Sequence, residues 1–292
     1  MDFNYLESIE NGIVIKDVRN FELSHIFDCG QCFRWERQEN GNYIGVAFER
    51  VIEVEKKEND VIIYNANEED FKNIWGEYFD LYRDYSTIKD ILSKDPILKE
   101  SIKFGEGIRL LKQDPFEIII SFIISANNRI PMIKKVISNI SEAWGNPIEY
   151  KGRIFYSFPT IDKLLNCTIE DFENCRTGFR GKYIKSTIDI LSKDAKFIDS
   201  LKLSSDNQCY LDLQKLNGVG PKVADCIMLF SLSKYSAFPV DVWVKRAMQY
   251  FYLAPDVSLN KIRDFAINKF GELSGFAQQY LFYYARENNI KV

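Results

Sequence analysis

The chain has 292 residues, 46% of them apolar and 14% aromatic, and a formal net charge of −4. This is the make-up of an ordered globular protein long enough for two or three packed layers or two domains. No apolar run approaches the roughly 18 residues of a membrane helix, and Met1-Asp2-Phe3-Asn4 lacks the charged-then-apolar profile of a signal peptide, so no membrane association and a cytoplasmic location are expected. The charge is not that of a protein that gathers polyanions through its overall field, although helix N-termini and a few local cations can still hold phosphates.

From about residue 10 to 66 the pattern has period two. Strands are expected at Gly12–Ile15, Gln31–Trp35, Tyr43–Phe48, Val51–Val54 and Val61–Tyr64, with turns at Asn40-Gly41 and Glu58-Asn59-Asp60, together an antiparallel meander. Beyond residue 67 helical periods dominate. Asp114-Pro115-Phe116-Glu117 is a helix start with Asp at the N-cap and Pro in the first turn. The run Ile118-Ile119-Ile120-Ser121-Phe122-Ile123-Ile124 that follows is apolar on nearly every side, which places it at the centre of a core. Further helices are expected at 131–144, 181–192, 207–216, 221–233, 242–252, 259–270 and 274–287, and a β-like stretch, Arg153–Tyr156, that packs back on the first sheet. The expected class is α+β: a small antiparallel β-rich domain over residues 1–100, joined by a short segment near 147–158, and a larger all-helical domain over 101–292.

The segment Asn217-Gly218-Val219-Gly220-Pro221-Lys222 joins two of these helices by a tight turn. Its glycines let backbone N–H groups approach another molecule, and Gly218, Val219 and Gly220 are candidates to hold a phosphate. An ordinary helix–helix turn has the same outline. Lys222 falls in the first turn of the second helix, where the dipole disfavours a positive charge and a lysine can become a nucleophile, though most lysines are simply solvated. Pro239-Val240-Asp241 then delivers a carboxylate at a helix N-cap. An amine beside a carboxylate suits attack on a sugar carbon at which positive charge builds as the base departs.

Gly218 to Cys226 followed by Pro239-Val240-Asp241 resembles the signature of helix-hairpin-helix DNA glycosylases, with the motif at about 207–233. The resemblance extends to the 8-oxoguanine DNA glycosylase branch. It runs through Gly30-Gln31-Cys32-Phe33-Arg34-Trp35, Arg109 to Pro115, Ser121-Phe122-Ile123, Asn127-Asn128, Gly178-Phe179-Arg180 and Phe276-Ala277-Gln278 with Phe282. It implies a bifunctional enzyme that flips 8-oxoguanine out of double-stranded DNA, cuts its glycosidic bond and cleaves the apurinic site through a Schiff base. Lys222 would attack C1′ and Asp241 would stabilise the oxocarbenium-like transition state. Gly30 would offer its carbonyl to N7–H, Gln278 would read the Watson–Crick edge, and Phe282 and Cys226 would cover the faces of the base. Asn127 and Phe179 would fill the gap, and Arg180 would contact the partner base. Two departures stand out: Met132 where eukaryotic members have a partner-reading arginine, and Trp243 where the family has histidine.

No cysteine follows Cys226, so the four-cysteine iron–sulfur cluster of related glycosylases is not expected, nor is any other cofactor, although a monovalent or divalent cation at the hairpin is left open. His25, Cys29 and Cys32 have the spacing of three metal ligands but lack a fourth, and Cys29-Gly30-Gln31-Cys32 is also the outline of a redox pair. Competing readings are an alkylated-base glycosylase, which lacks the lysine, and a noncatalytic DNA-binding module. A monomer is expected, associated with the nucleoid if the source is prokaryotic.

Overall fold

The computed structural model describes residues 1–254 and 256–290. A six-stranded antiparallel sheet occupies the N-terminal region, built from β1 (Leu6–Ile9), β2 (Gly12–Ile15), β3 (Trp35–Arg37), β4 (Tyr43–Ala47), β5 (Arg50–Lys57) and β6 (Asp60–Tyr64). The spatial order is β1-β2-β6-β5-β4-β3. Strands β3 to β6 form the expected meander, but the β1–β2 hairpin is added at its β6 edge, with Val14 opposite Ile62 and Ile15 opposite Val61. Gly45 in β4 lies opposite Trp35, whose ring leaves no room for a side chain there: a Cβ would meet the indole at 2.2 Å. That ring stacks on Phe27, 4.0 Å between centroids, and donates to the Tyr78 hydroxyl at 2.8 Å.

The expected strand Gln31–Trp35 is corrected: only Trp35 is in the ladder, and residues 31–34 form an irregular loop. Its polar groups are satisfied by side chains instead. The Gln31 amide donates to the carbonyls of Ile26 and Arg109 at 2.9 and 2.7 Å and accepts from Leu111 N at 2.9 Å. Arg153–Tyr156 pairs with Pro147–Tyr150 as a separate hairpin, and its Phe155, with Ile148 and Tyr150, covers Ile44, Val46 and Val51 on the outer face of the sheet.

The helical region is organised on α1 (Pro115–Ser125), whose Phe116 and Ile118 to Ile124 are all buried. Asp114 caps it, accepting from Glu117 N at 2.9 Å. The Glu117 side chain does not close a capping box but turns to Arg34, 3.5 Å away. Around α1 lie α2 (Ile130–Trp144), α3 (Gly181–Lys193), α4 (Asp206–Leu213), α5 (Pro221–Ser231), α6 (Val242–Phe251), α7 (Leu259–Phe270) and α8 (Ser274–Glu287). α1 packs on α5, and α6 packs on α8. The helix Tyr85–Leu92, on the sheet side of a division at residue 100, and the helix Pro96–Phe104, which straddles it, pack into the helical core. A buried pair ties the chain start to this region: Arg109 contacts Asp2 at 2.8 Å, with its other donors on the carbonyls of Phe79 and Asp80. Such a pair contributes little net stability but is costly to break on one side, which fixes its geometry. No helix among the described residues is long and apolar enough to cross a membrane.

Candidate active site

α4 and α5 are joined by a turn at residues 214–220, and Pro221 sits in the first turn of α5. Gly218 has φ +85°, and a Cβ there would also meet Tyr183 at 2.8 Å, so this glycine serves an internal contact. Gly220, by contrast, has open space where a side chain would project. Val219 is buried and donates to Leu216 O at 3.1 Å, closing the turn.

Lys222 projects from the first turn of α5 over the Phe122 ring of α1, with Nζ 5.1 Å from the centroid. Asp241 is the N-cap of α6, its carboxylate accepting from Val244 N at 2.8 Å. Both line a cavity of about 150 Å³ together with Gly30, Cys226, Gln278 and Phe282. Clefts of about 590 and 760 Å³ open elsewhere, but neither contains any of these six residues. Burial pushes the Asp241 carboxyl up from its usual range, opposed by the Val244 N–H and by the Lys222 charge. Burial likewise pushes the Cys226 thiol up to about 11, so at neutral pH this face of the cavity is an uncharged sulfur. Gln278 donates from Nε2 to Pro239 O at 3.1 Å, which leaves its buried Oε1 as an acceptor without a partner.

Gly30 has φ +81°, and a Cβ would stand 3.2 Å from the edge of the Phe282 ring. The loop is held on one side by Gln113, which donates to Gln31 O at 2.8 Å, and on the other by Gln279, which donates to Cys29 O at 2.7 Å.

The residues expected at the partner base lie apart from this cavity. Asn127 is exposed with φ +51°, while its neighbour Asn128 is the one that lines the cavity. Phe179 and Met132 are apolar side chains 53% and 43% exposed. Arg180 is buried, its Nε and Nη2 bonded to Ala126 O at 2.9 and 2.7 Å, Nη2 also to Asn127 O at 2.9 Å, and Nη1 to Thr177 O at 3.3 Å. It therefore braces the Asn127 turn. Trp243 is half-buried under the Arg246 guanidinium, 4.8 Å from the ring.

Three supporting residues carried no sequence signal. Arg263 makes a two-pronged pair with buried Asp225 at 2.7 and 2.9 Å, and Asp225 also takes the Phe238 N–H, which ties the Pro239–Asp241 segment to α5. Gln279 and Arg286 on α8 reach the Gly30 loop; neither has a periodicity or spacing that sets it apart from the core and surface positions of a helix. All six cysteines are free and buried. Cys29 and Cys32 donate to the carbonyls of Ile26 and Phe27, His25 accepts from Gly107 N, and burial pushes the Cys29 thiol up to about 11. Among the described residues no three His, Cys, Asp or Glu side chains gather as a metal site.

Residues 13–119 match the family described as 8-oxoguanine DNA glycosylase, N-terminal domain, and residues 120–271 match the HhH-GPD superfamily of base excision DNA repair proteins. The N-glycosylase/DNA lyase OGG1 of Arabidopsis thaliana is 31% identical over 88% of this chain and 75% of its own length. A probable N-glycosylase/DNA lyase of Methanothermobacter thermautotrophicus is 32% identical over 73% of this chain and 74% of its own. The crystal structure of the Clostridium acetobutylicum 8-oxoguanine glycosylase/lyase, in complex with double-stranded DNA containing cytosine opposite 8-oxoguanine, superimposes with a TM-score of 0.98 at 65% identity, covering 99% of this chain and 100% of that one.

Proposed function

Because the chain belongs to the 8-oxoguanine N-glycosylase/DNA lyases of the HhH-GPD superfamily, we propose that its small cavity receives a flipped 8-oxoguanine for attack by Lys222. The protein is a bifunctional base-excision repair enzyme that removes 8-oxoguanine from double-stranded DNA and carries lyase activity at the resulting site. The observation that carries the residue assignment is the convergence of Lys222, Asp241, Gly30, Gln278, Phe282 and Cys226 on one cavity from four separate parts of the chain.

Lys222, as the free amine, attacks C1′ while the base departs with the bonding electrons and takes up a proton. Asp241, fixed by its cap, faces the positive charge that develops on the sugar. The amine then loses its proton, the sugar opens to a Schiff base, and β-elimination expels the 3′ phosphate. Phe282 and the neutral Cys226 sulfur cover the two faces of the base. The unpartnered Gln278 Oε1 accepts from the N–H groups on the Watson–Crick edge of guanine. The carbonyl of Gly30 accepts from N7–H, a donor that ordinary guanine lacks. The open backbone at Gly220 and the start of α5 hold a DNA phosphate. Asn127 and Phe179 occupy the space that the base leaves, which offsets unstacking. No cofactor enters this scheme, and the enzyme works as a monomer in the cytoplasm.

The test is borohydride reduction during incubation with an 8-oxoguanine duplex. Wild-type protein gives a covalent protein–DNA adduct and Lys222→Gln gives none; an undiminished adduct in the variant removes Lys222 from the mechanism.

A further inference from the structure

α8 closes over the Gly30 loop, and its hydrogen bonds there are to backbone carbonyls. Gln279 Nε2 donates to Cys29 O at 2.7 Å and Arg286 Nη2 to Asp28 O at 2.5 Å. From the opposite side Gln113 Nε2 donates to Gln31 O at 2.8 Å. The carbonyls of residues 28, 29 and 31 are thus each taken, whereas no described residue donates to that of Gly30. The N–H of the same peptide, that of Gln31, faces the Cys29 sulfur, whose thiol is itself bonded to Ile26 O at 3.2 Å. Arg286 also lies over the Phe282 ring, 5.2 Å from its centroid, and its Nη1 is 3.7 Å from where a Gly30 Cβ would stand.

With no side chain and φ +81°, Gly30 offers little intrinsic resistance to rotation of the peptide that links it to Gln31. That rotation would present the Gln31 N–H in place of the carbonyl. A donor there matches the N7 acceptor of ordinary guanine, so the direction of one peptide separates lesion from normal base. We infer that Gln279 and Arg286 are specificity-determining positioning residues. By saturating the two carbonyls before it, from the helix that also carries Gln278 and Phe282, they lock the Gly30 carbonyl as the acceptor left for the base. This rests on the reading of Gly30 as the group that meets N7–H.

The experiment uses Gln279→Met and Arg286→Ala, singly and together. Single-turnover excision is measured on duplexes carrying 8-oxoguanine or guanine at the same position, alongside cleavage of a preformed abasic site. Abasic-site cleavage needs Lys222 but no base, so a general packing defect lowers it together with excision. In the double variant the lesion-to-guanine ratio falls by about tenfold or more while abasic-site cleavage stays within about threefold of wild type. Arg286→Lys, which keeps a donor for Asp28 O, recovers part of the ratio. A ratio within about twofold of wild type, or a parallel loss of both activities, overturns the inference. Guanine excised by the wild type as fast as the lesion would instead remove the Gly30 reading itself. If Gln279→Met does not fold, Arg286→Ala, on a half-buried residue, carries the test under the same criteria.

Discussion

Lys222 and Asp241 line one cavity without forming an ion pair: the Lys222 ammonium lies over the Phe122 ring, and the Asp241 carboxylate is bonded to the N-terminus of its own helix. In the proposed mechanism both act on the same sugar without neutralising each other first. Asp241 is a cap in the structure and a charge in the proposed mechanism, and substitution can part the two. Asparagine caps about as well as aspartate. Asp241→Asn is expected to unfold within a few tenths of a kcal/mol of wild type while its single-turnover excision rate falls on the order of 10²-fold or more. Thermal unfolding and excision kinetics on the same preparation check this. Equal losses in both would reduce Asp241 to a structural cap.

The pH dependence follows from the same carboxylate. Burial raises the Asp241 carboxyl above its usual range, so protonation begins at a higher pH than for an exposed aspartate near about 3.9. In the proposed mechanism only the ionised form can stabilise positive charge on the sugar. Excision is expected to decline on acidification from a pH above that ordinary value, and this limb is expected to vanish in Asp241→Asn. A pH–rate profile of single-turnover excision for both proteins decides; the same acid limb in the variant would assign it to another group.

The helical half of the molecule was legible because its signals are local. Pro221 at the start of α5, Asp241 as a cap and the apolar run of α1 each act within a turn or two of chain. The Gly30 loop was not, since Gln31 to Trp35 alternates like a strand while its hydrogen bonds come from Gln113 and Gln279, far away in sequence. Nor could the sequence distinguish which glycine of the hairpin faces outward, because the contact that occupies Gly218 comes from Tyr183 on another helix. The bracing contacts of Arg180 were hidden in the same way: the resemblance implies only a contact with the partner base, and the bonds to Ala126 and Asn127 cross to a turn more than fifty residues away.

Gly30 gives the next prediction. If its carbonyl accepts from N7–H of the lesion, normal guanine brings the N7 acceptor against it, and an unpaired buried pair of acceptors costs about 1–3 kcal/mol. Guanine is therefore expected to be excised more than about tenfold more slowly than the lesion. Gly30→Ala would force a side chain into a positive-φ position and 3.2 Å from the Phe282 ring, so it is expected to displace that ring and weaken lesion binding. Competition binding of lesion and guanine duplexes to the Lys222→Gln protein, with and without Gly30→Ala, measures both effects. Guanine excision by wild type within tenfold of the lesion rate would contradict this role.

If the partner base sits against the Asn127 turn, as the proposed function has it, it is read by the donors on the exposed side of that turn. Cytosine offers acceptors at N3 and O2, so preference for it needs positive donors. At Met132, exposed on the first turn of α2, a thioether cannot donate. Arg180 has five N–H groups, and its hydrogen bonds to Ala126, Asn127 and Thr177 use most of them, so contact with cytosine would compete with bracing of the turn. The expected outcome is excision of 8-oxoguanine opposite all four bases, with a cytosine preference weaker than that of relatives bearing an arginine at position 132. One absent charged hydrogen bond relaxes discrimination by roughly 1.5–3 kcal/mol, about 10- to 150-fold. Met132→Arg, on an exposed position that the core does not use, is expected to restore preference for cytosine without altering the rate opposite it by more than a few fold. Single-turnover rates against the four partner bases, for wild type and variant, decide the matter. A wild-type preference for cytosine above about 100-fold, unchanged by the substitution, would show that Arg180 releases the turn and reads the base alone.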